Sequence, residues 1–231
     1  MSGAAFDPYV RSYERALGHG LAVSGEDKDY FAAGRARHLA RRLARLGVRP
    51  DRVLDFGCGI GHAARHLLHN LEAREVVGCD ESAAILERAR AQFAGAGVRF
   101  SAVSELAAEA AFDVVYVNGV MHHVPREGWP ALLRQLHDLL APGGHLALWE
   151  NNPWSPAARL VMRRIPFDRG ATLLWPRAAR RLAAEAALVP LHVDFLFIFP
   201  RALRRFRFLE ALLSAVPLGA QYQLLARRDP A

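Results

Sequence analysis

Apolar and polar side chains alternate with helical periodicity in residues 35–46, the first strongly patterned segment of the chain. Arginines occupy one face of this helix, and the opposite face carries Leu39, Leu43 and Leu46. A glycine and a proline then end the helix, and residues 52–56 have the pattern of a short apolar strand. The segment therefore predicts an amphipathic helix that leads into a buried strand.

The same alternation continues to residue 150. The pattern predicts a short helix around Glu105 and longer ones at residues 62–71, 83–94 and 129–140. The strands between them are predicted at residues 75–79, 98–103, 112–118 and 145–150. Strands that are separated by helices are joined by right-handed crossovers. This order therefore predicts an α/β fold with a mostly parallel sheet and helices on both faces.

The rhythm changes after Glu150. Residues 151–175 form an arginine- and aromatic-rich insertion, and a helix at 176–187 and a strand at 191–199 follow it. Residues 200–218 are predicted to be amphipathic and helical, before a closing strand at residues 221–226. The apolar face of the amphipathic segment consists of Leu203, Phe206, Leu209 and Leu213.

We expect a single domain over residues 1–231, because the chain shows no repeat, linker or low-complexity tract. Residues 1–50 would supply N-terminal helices or a lid, and residues 51–150 a cofactor-binding core. Residues 151–231 would supply a substrate cap and the closing strands.

The composition is that of a globular protein. The chain is 52% hydrophobic and 23% charged, which excludes disordered and fibrous classes. A proline, a histidine and an aspartate interrupt its longest apolar run, residues 188–200, so we expect no stable insertion into a membrane. Residues 1–11 lack the features of a signal peptide, and two cysteines are too few for a disulfide scaffold. We therefore expect a cytoplasmic protein.

The charge balance leaves a nucleic-acid partner open at first. Lys and Arg number 30 against 23 Asp and Glu, which gives a formal net charge of +7. However, Lys28 is the only lysine, and so marked a preference for arginine indicates compositional bias as much as a binding surface. The charge alone therefore does not predict a partner.

Three glycines at alternate positions, Gly57, Gly59 and Gly61, follow the first strand and precede a helix. Glycines there permit unusual backbone angles and let a ligand approach the main chain. The dinucleotide-binding fingerprint requires Gly or Ala where this chain has His62, which counts against NAD. The next strand ends in Asp80, where a carboxylate can accept hydrogen bonds from both hydroxyls of a ribose.

These motifs resemble those of the class I S-adenosylmethionine-dependent methyltransferases, and particularly of the members that act on small molecules. Asp55-x-Gly57-x-Gly59-x-Gly61 is similar to their first motif, and Asp80 to their ribose-binding acid. Residues 112–118 resemble their fourth strand, and residues 140–144 the loop before their fifth. The resemblance implies S-adenosylmethionine (SAM) as the cofactor and S-adenosylhomocysteine (SAH) as its product.

The resemblance also implies a Rossmann-like, seven-stranded sheet in the order 3-2-1-4-5-7-6 with strand 7 antiparallel. The cofactor would lie across the C-terminal ends of strands 1 and 2. Many relatives hold the adenine with an acid just beyond strand 3, where this chain offers Ser104 or Glu105. The residues that we assign to cofactor binding are Asp55, Gly57, Cys58, Gly59, Gly61, Asp80, Glu81, Ser104, Glu105, Asn118, His123 and Tyr30.

The C-terminal half is similar to a narrower bacterial subgroup of these enzymes. The shared motifs lie at residues 150–156, Pro166–Asp168, 199–200 and 217–222. A histidine of the subgroup's first motif is Asn151 here. If that histidine is a base in relatives, this chain has lost it or uses another residue.

Two adjacent histidines, His122 and His123, follow strand 4, where the methyl acceptor should lie. Either could accept its proton, since histidine titrates near neutral pH. Alternatively, one caps the strand end and the other packs under the cofactor. Glu150 is the third candidate base, and Asn118 either fixes the loop or contacts the methionine part of the cofactor.

No metal site is predicted. Three histidines share one helical pattern, but no cysteine or carboxylate stands beside them at ligand spacing; they are His62, His66 and His69. Asn152-Pro153-Trp154 is similar to the clamp of base-modifying methyltransferases, but that clamp follows strand 4 and this segment follows strand 5. Nucleic acid is therefore disfavoured as a substrate.

We expect methyl transfer to a small, apolar or amphiphilic metabolite. Its pocket should form between the loop after strand 4, residues 151–175 and residues 200–218. The alternative is a protein of the same fold that binds the cofactor and does not methylate, either as an interaction partner or as a catalyst that uses the sulfonium as a fixed charge. We expect a monomer or a homodimer.

Overall fold

The computed structural model describes residues 18–109, 111–168 and 170–230. The expectation about a signal peptide concerns residues 1–11, which lie outside the described residues. Within the described residues, no helix is both long enough and apolar enough to cross a membrane.

Seven strands form one sheet in the order β3-β2-β1-β4-β5-β7-β6. β7 is antiparallel to both of its neighbours, and the other pairs are parallel. This confirms the topology that the resemblance implied. The strands are β1 (Arg52–Phe56), β2 (Glu75–Asp80), β3 (Val98–Ala102), β4 (Phe112–Asn118), β5 (Leu140–Asn151), β6 (Leu188–Leu196) and β7 (Gln221–Arg228).

Helices cover both faces of the sheet. They are α1 (Lys28–Arg45), α2 (Ala64–Asn70), α3 (Ala83–Phe93), α4 (Trp129–Leu139), α5 (Pro156–Arg164), α6 (Pro176–Glu185) and α7 (Glu210–Leu213). Successive residues of a strand point to opposite faces, so Val114 packs in one hydrophobic cluster and Val115 in the other. The first cluster includes α1, α2 and α3, and the second includes α4 and α6.

Helix α1 begins seven residues earlier than the pattern predicted, at Lys28 instead of Arg35. Asp27 caps its N-terminus, because its carboxylate accepts a hydrogen bond from the Tyr30 N–H at 2.8 Å. Asp194 on β6 holds the helix to the sheet through hydrogen bonds from Arg42 and from His38 Nε2, the latter at 3.1 Å. The additional turns of α1 reach the edge of the sheet where β1 and β4 end.

Other element boundaries also differ from prediction. Helix α2 begins at Ala64 and not at residue 62, because the glycine-rich turn extends further. β6 ends at Leu196 and not at residue 199, because Phe197 has a left-handed backbone conformation with a φ of 62°. β5 begins at Leu140, which pairs with Phe112 ahead of a bulge.

Residues 200–218 were predicted to be amphipathic and helical, but they do not form one α-helix. It is a 3₁₀ helix over Arg201–Leu209 followed by the single turn of α7. The backbone of Leu203 departs from helical angles, at φ −108° and ψ 22°. Leu203 and Phe206, two of the four residues of the predicted apolar face, are 42% and 38% exposed.

Asn152 joins the insertion after β5 to the segment before β7. Its side-chain amide donates hydrogen bonds to the carbonyl oxygens of Pro217 and Gly219, at 3.0 and 2.7 Å, and its backbone N–H donates to Ala220 O at 2.9 Å. The side chain is completely buried. This contact brings the first and last of the C-terminal motifs together and fixes the cap on the sheet.

Gly219 lies directly against the backbone of β6. A Cβ atom at this position would be 2.5 Å from Leu196 N and 2.7 Å from its carbonyl carbon, so the turn before β7 or the end of β6 would have to shift. We expect Gly219→Ala to lower the free energy of unfolding by at least about 2 kcal/mol in urea denaturation. Gly95→Ala is the control, because nothing lies within 4 Å of its added carbon. Equal stability of the two variants would contradict this packing.

Candidate active site

The glycine-rich loop lies at the C-terminal ends of β1 and β2. Gly59 and Gly61 have left-handed backbone angles, with φ of 53° and 87°. A Cβ atom on Gly61 would lie 2.7 Å from the ring of Phe100. The Gly59 N–H donates a hydrogen bond to Asp80 Oδ2 at 3.0 Å, so the loop and the end of β2 form one surface.

Asp80 is held at the end of β2 by main-chain donors. Besides Gly59, the Ser82 N–H donates to Oδ1 at 3.1 Å. Burial raises the pKa of Asp80 despite these hydrogen bonds. The side chain of Glu81, the next residue, is exposed. Asp80 is therefore the acid that the structure brings to the glycine loop.

Asp55 is a buried carboxylate beneath this loop. Its Oδ2 atom has no hydrogen-bond partner among the described residues. Burial raises the pKa of Asp55 to about 7, with Arg35 opposing the shift and Asp80 adding to it. Asn118 Oδ1, at the end of β4, is also buried without a partner. Two acceptors without partners at this edge fit a ligand that carries cationic or hydrogen-donating groups. SAM is such a ligand.

The structure places the two candidates for adenine binding at the end of β3, where both side chains are exposed. Glu105 turns back onto the strand, since its Oε2 accepts hydrogen bonds from Ser101 Oγ at 2.6 Å and from Ala102 N at 3.0 Å. These bonds lower the pKa of Glu105. Ser104 makes no such contact among the described residues, and its hydroxyl stays at the surface.

Both cysteines are free thiols. Cys58 lies in the glycine loop, where its Sγ donates to Gly59 O at 3.3 Å. Burial raises the pKa of Cys58 well above its ordinary value, so the thiol stays protonated. Its side chain lies against Gly78 of β2, which leaves the backbone of Cys58 as the part that could meet a cofactor.

His122 and Glu150 form a buried pair at the ends of β4 and β5. His122 Nδ1 and Glu150 Oε2 are 2.6 Å apart, and the Met121 N–H donates to the other carboxylate oxygen at 2.9 Å. Glu150 is 1% exposed. Both oxygens of Glu150 are therefore engaged, one by the ring of His122 and one by the main chain. Its role as a base stays a prediction.

Asp168 from the insertion faces both histidines. Its Oδ1 lies 3.6 Å from His122 Nε2 and 3.4 Å from His123 Nε2. The Thr172 N–H also donates to His122 O at 3.1 Å, which ties the insertion to the loop after β4. Sequence analysis noted Asp168 only as part of a motif and did not assign it to the site. The sequence signal that could have identified Asp168 is its place in the Pro166–Asp168 motif, within an insertion that was expected to border the acceptor.

The charges of the two histidines differ. Burial disfavours the imidazolium of His122, but Glu150 and Asp168 outweigh it and raise the pKa of His122 to about 10. Burial lowers the pKa of His123 to about 4, and the positive charge of His122 adds to this. At neutral pH, a neutral His123 therefore lies beside a charged His122, with their ring centroids 4.1 Å apart.

Sequence analysis predicted no metal, and the described residues contain one group with suitable spacing. His122, His123 and Asp168 bring three potential ligand atoms within 4.8 Å of one another. We interpret the group as a proton-linked cluster, because carboxylates flank both ring nitrogens of His122 and favour a proton there.

A cavity of about 370 Å³ opens beside the histidines. Its walls include residues of the loop after β4, of the insertion (151–175) and of the cap segment (200–218), the three segments between which a pocket was predicted. The start of α1 and the residues before it also contribute, through Leu21, Tyr30, Phe31 and Arg35 among others. The predicted apolar face of the cap does not line this cavity among the described residues; Arg207 does, and its guanidinium lies 4.5 Å from the centre of the Tyr30 ring.

The chain has the Rossmann-like sheet of the methyltransferase fold, with a glycine-rich loop at the ends of β1 and β2 and a cavity where β4 ends. A family model described as a methyltransferase domain matches residues 54–146. The chain is 31% identical over 139 residues to an uncharacterized methyltransferase of Mycobacterium bovis, which covers 54% of this chain and 68% of that protein. The chain belongs to the class I SAM-dependent methyltransferases, a family that uses SAM and yields SAH.

Further relatives include a trans-aconitate 2-methyltransferase of Methylobacterium nodulans, 35% identical over 159 residues. The match covers 68% of this chain and 58% of that protein, so the chain spans little more than half of it. Solved structures with this fold include human N-acetylserotonin methyltransferase in complex with SAM, with a TM-score of 0.66, 15% identity and coverage of 97% of this chain and 59% of that one. A putative sarcosine dimethylglycine methyltransferase from Galdieria sulphuraria has a TM-score of 0.62, 17% identity and coverage of 96% and 99%.

We expect Asp80→Ala to weaken SAH binding more than tenfold in isothermal titration calorimetry. A charged contact to ribose hydroxyls contributes about 1.5–3 kcal/mol. Asp80→Asn retains an acceptor for the Gly59 N–H and separates loss of charge from loss of the loop contact. Asp138→Ala, at a side chain 77% exposed, is the control. Unchanged affinity in folded Asp80→Ala protein would contradict the assignment.

We expect Glu150→Gln to lower the pKa of His122, because one of its two carboxylate partners is lost while burial remains. Proton NMR titration should show His122 of the native chain charged at pH 8, and His122 of the variant titrating at lower pH. A raised folded-state pKa stabilises the fold at low pH and loses that effect as pH rises towards about 10. The variant should therefore lose less stability than the native chain between neutral pH and pH 10. An unchanged titration of His122 would show that Glu150 does not carry the shift.

Proposed function

We propose that this chain transfers the methyl group of SAM to a small amphiphilic acceptor, with His123 as the general base. The observation that carries the proposal is the neutral His123 at the wall of a cavity that begins where β4 ends. β4 pairs directly with β1, whose end bears the glycine loop. Acceptor cavity and cofactor loop are thus neighbours on one edge of the sheet.

The described residues fit the cofactor. The glycine loop gives close access to the main chain, and Asp80 offers a carboxylate to the ribose. Asp55 Oδ2 and Asn118 Oδ1 are the unsatisfied acceptors for the methionine part. When bound, SAM supplies a methyl group that is activated by a positively charged sulfur.

The protein's first contribution is to hold the acceptor close to that methyl group and in line with its bond to sulfur. Positioning of this kind supplies a large share of the acceleration in a displacement reaction. The cavity is enclosed by α1, the insertion and the cap, so these elements also limit the access of water.

The second contribution is a proton acceptor. Because the pKa of His123 is held at about 4, its imidazole is unprotonated throughout the neutral range. It takes up, at Nε2, the proton that becomes acidic as the acceptor bonds to the methyl group. Asp168 Oδ1, 3.4 Å from this atom, stabilises the charge that results.

The cavity favours an acceptor with an apolar body and an anionic group. Phe31, Val161 and Ile165 supply apolar wall, and two arginines, Arg35 and Arg207, also line it. Arg35 donates to Tyr116 Oη and Gln221 Oε1, and Arg207 donates to Phe199 O and Glu26 Oε1. Each guanidinium keeps further N–H groups, which can bind a carboxylate or phosphate. Several relatives are named for trans-aconitate, and we extend from that name only the small size of the acceptor and the presence of an acid.

The test is SAH formation, measured by mass spectrometry, when protein and SAM are incubated with small carboxylic acids of increasing apolar length, trans-aconitate and hydroxyaromatic acids. Turnover with at least one amphiphilic acid is expected. If SAM binds with no SAH formed from any acceptor or metabolite extract, methylation is excluded and the non-methylating alternative is favoured.

Once an acceptor has been identified, we expect His123→Asn to lower kcat about a hundredfold, which is the lower end of the range for general base catalysis. Its affinity for SAH should stay within a few fold of that of the native chain. Because the imidazole of His123 is unprotonated above a pKa of about 4, the native rate should stay level from pH 8 to pH 6 and fall only below about pH 5.

His69→Asn, at an exposed position on α2, is the matched control and should keep full activity. A native rate that halves near pH 6.5 would contradict a depressed pKa of His123. Full activity of His123→Asn would instead leave positioning as the only contribution of the protein.

A further inference from the structure

The cap carries an unusual concentration of exposed apolar side chains. We call residues 201–218 the cap surface. Of the twelve large hydrophobic side chains that are exposed in the described residues, the cap surface holds six: Leu203, Phe206, Phe208, Leu212, Val216 and Leu218. Phe208 and Leu212 are the most exposed of all, at 73% and 79%. A patch of this kind marks a surface that meets another apolar phase.

The charges interspersed with these side chains are positive. Arg201, Arg204 and Arg205 are exposed and form no ion pair with any described residue. The acid of the cap surface, Glu210, turns inward and accepts hydrogen bonds from Ile198 N and Phe199 N, at 3.1 and 3.0 Å. The cap surface therefore presents apolar and cationic groups together, with its carboxylate withdrawn.

A basic groove connects the cap surface to the acceptor cavity. It has a volume of about 870 Å³ and runs between residues 22–25 and the three exposed arginines. Val23, Ser24 and Pro200 line both the groove and the acceptor cavity. A partner that covers the cap surface would therefore lie next to the acceptor cavity.

We propose that the cap surface docks reversibly on an anionic lipid bilayer, so that the acceptor cavity opens toward the membrane. Exposed Phe and Leu side chains enter the interface between headgroups and acyl chains, while arginines beside them pair with lipid phosphates. The inference goes beyond methyl transfer, since docking needs no reaction.

Charge argues against two other occupants. In a symmetric dimer through the cap surface, each copy would set its three arginines against those of its partner, and like charges repel. Residues 1–17 contain two acids and two bases, so their net charge of zero does not complement the patch. An anionic bilayer complements both features of the surface.

The experiment is co-sedimentation of the full chain with phosphatidylcholine vesicles and with vesicles that contain about one third phosphatidylglycerol. We expect binding to the anionic vesicles, and loss of most of it in about 0.5 M NaCl. Phe208→Ser combined with Leu212→Ser should reduce partitioning about tenfold, and Arg204→Glu combined with Arg205→Glu by a similar factor.

Each double variant has a matched control. Leu46→Ser with Val189→Ser removes two exposed apolar side chains elsewhere, and Arg134→Glu with Arg180→Glu makes the same change in net charge at exposed sites on α4 and α6. Both controls should bind as the native chain does. Thermal unfolding should be unchanged in both arginine variants and in Phe208→Ser with Leu212→Ser, whose side chains are exposed. Leu46 and Val189 are 42% and 37% exposed, so their variant is compared with the native chain at a temperature where thermal unfolding shows it folded.

Three results would overturn the proposal. The first is equal binding of the native chain to neutral and anionic vesicles, or binding to neither. The second is a loss in the charge control that matches Arg204→Glu with Arg205→Glu, which would assign the effect to net charge. The third is a dimer in light scattering that Phe208→Ser with Leu212→Ser dissociates while vesicle binding is absent.

Discussion

The pairing of Glu150 with His122, both buried where β4 and β5 end, organises the acceptor side of this molecule. The 2.6 Å contact fixes the 3₁₀ turn after β4, and the Met121 N–H satisfies the second oxygen. A charged His122 then attracts Asp168 from the insertion. One buried charge thus draws two strands and an insertion into a single cluster, because leaving it unpaired would be costly.

The cluster also sets the chemistry of its neighbour. The positive charge of His122, together with burial, keeps His123 neutral, and Asp168 stays close enough to stabilise a proton on it. The cap is fixed independently, through Asn152 and the close approach of Gly219 to β6. Phe208 and Leu212 take little part in this attachment, since they are 73% and 79% exposed.

Sequence reasoning worked where structure is decided locally. The glycine turn and the acid at the end of β2 follow from short motifs, and a strand period or a glycine turn needs few distant contacts. The strand order came from the family resemblance that these motifs carry. It was wrong where distant contacts decide: β6 ends early at the left-handed Phe197, and the cap forms a 3₁₀ helix with part of its apolar side exposed. Asp168 was missed as a site residue for the same reason, because only the folded insertion brings it to His122.

The substitution of Asn151 for the subgroup's histidine bears on where the proton goes. Asn151 lines the acceptor cavity, and an amide does not take up a proton at neutral pH. Of the other titratable residues that line it, Glu26 is paired with Arg207 at 2.8 Å, and burial raises the pKa of Tyr30. His122 is already charged, and Asp168 is shared between the two histidines. Burial and the positive charge of His122 keep the imidazole of His123 neutral at neutral pH. With an amide at residue 151, we therefore propose that base catalysis falls to the loop after β4.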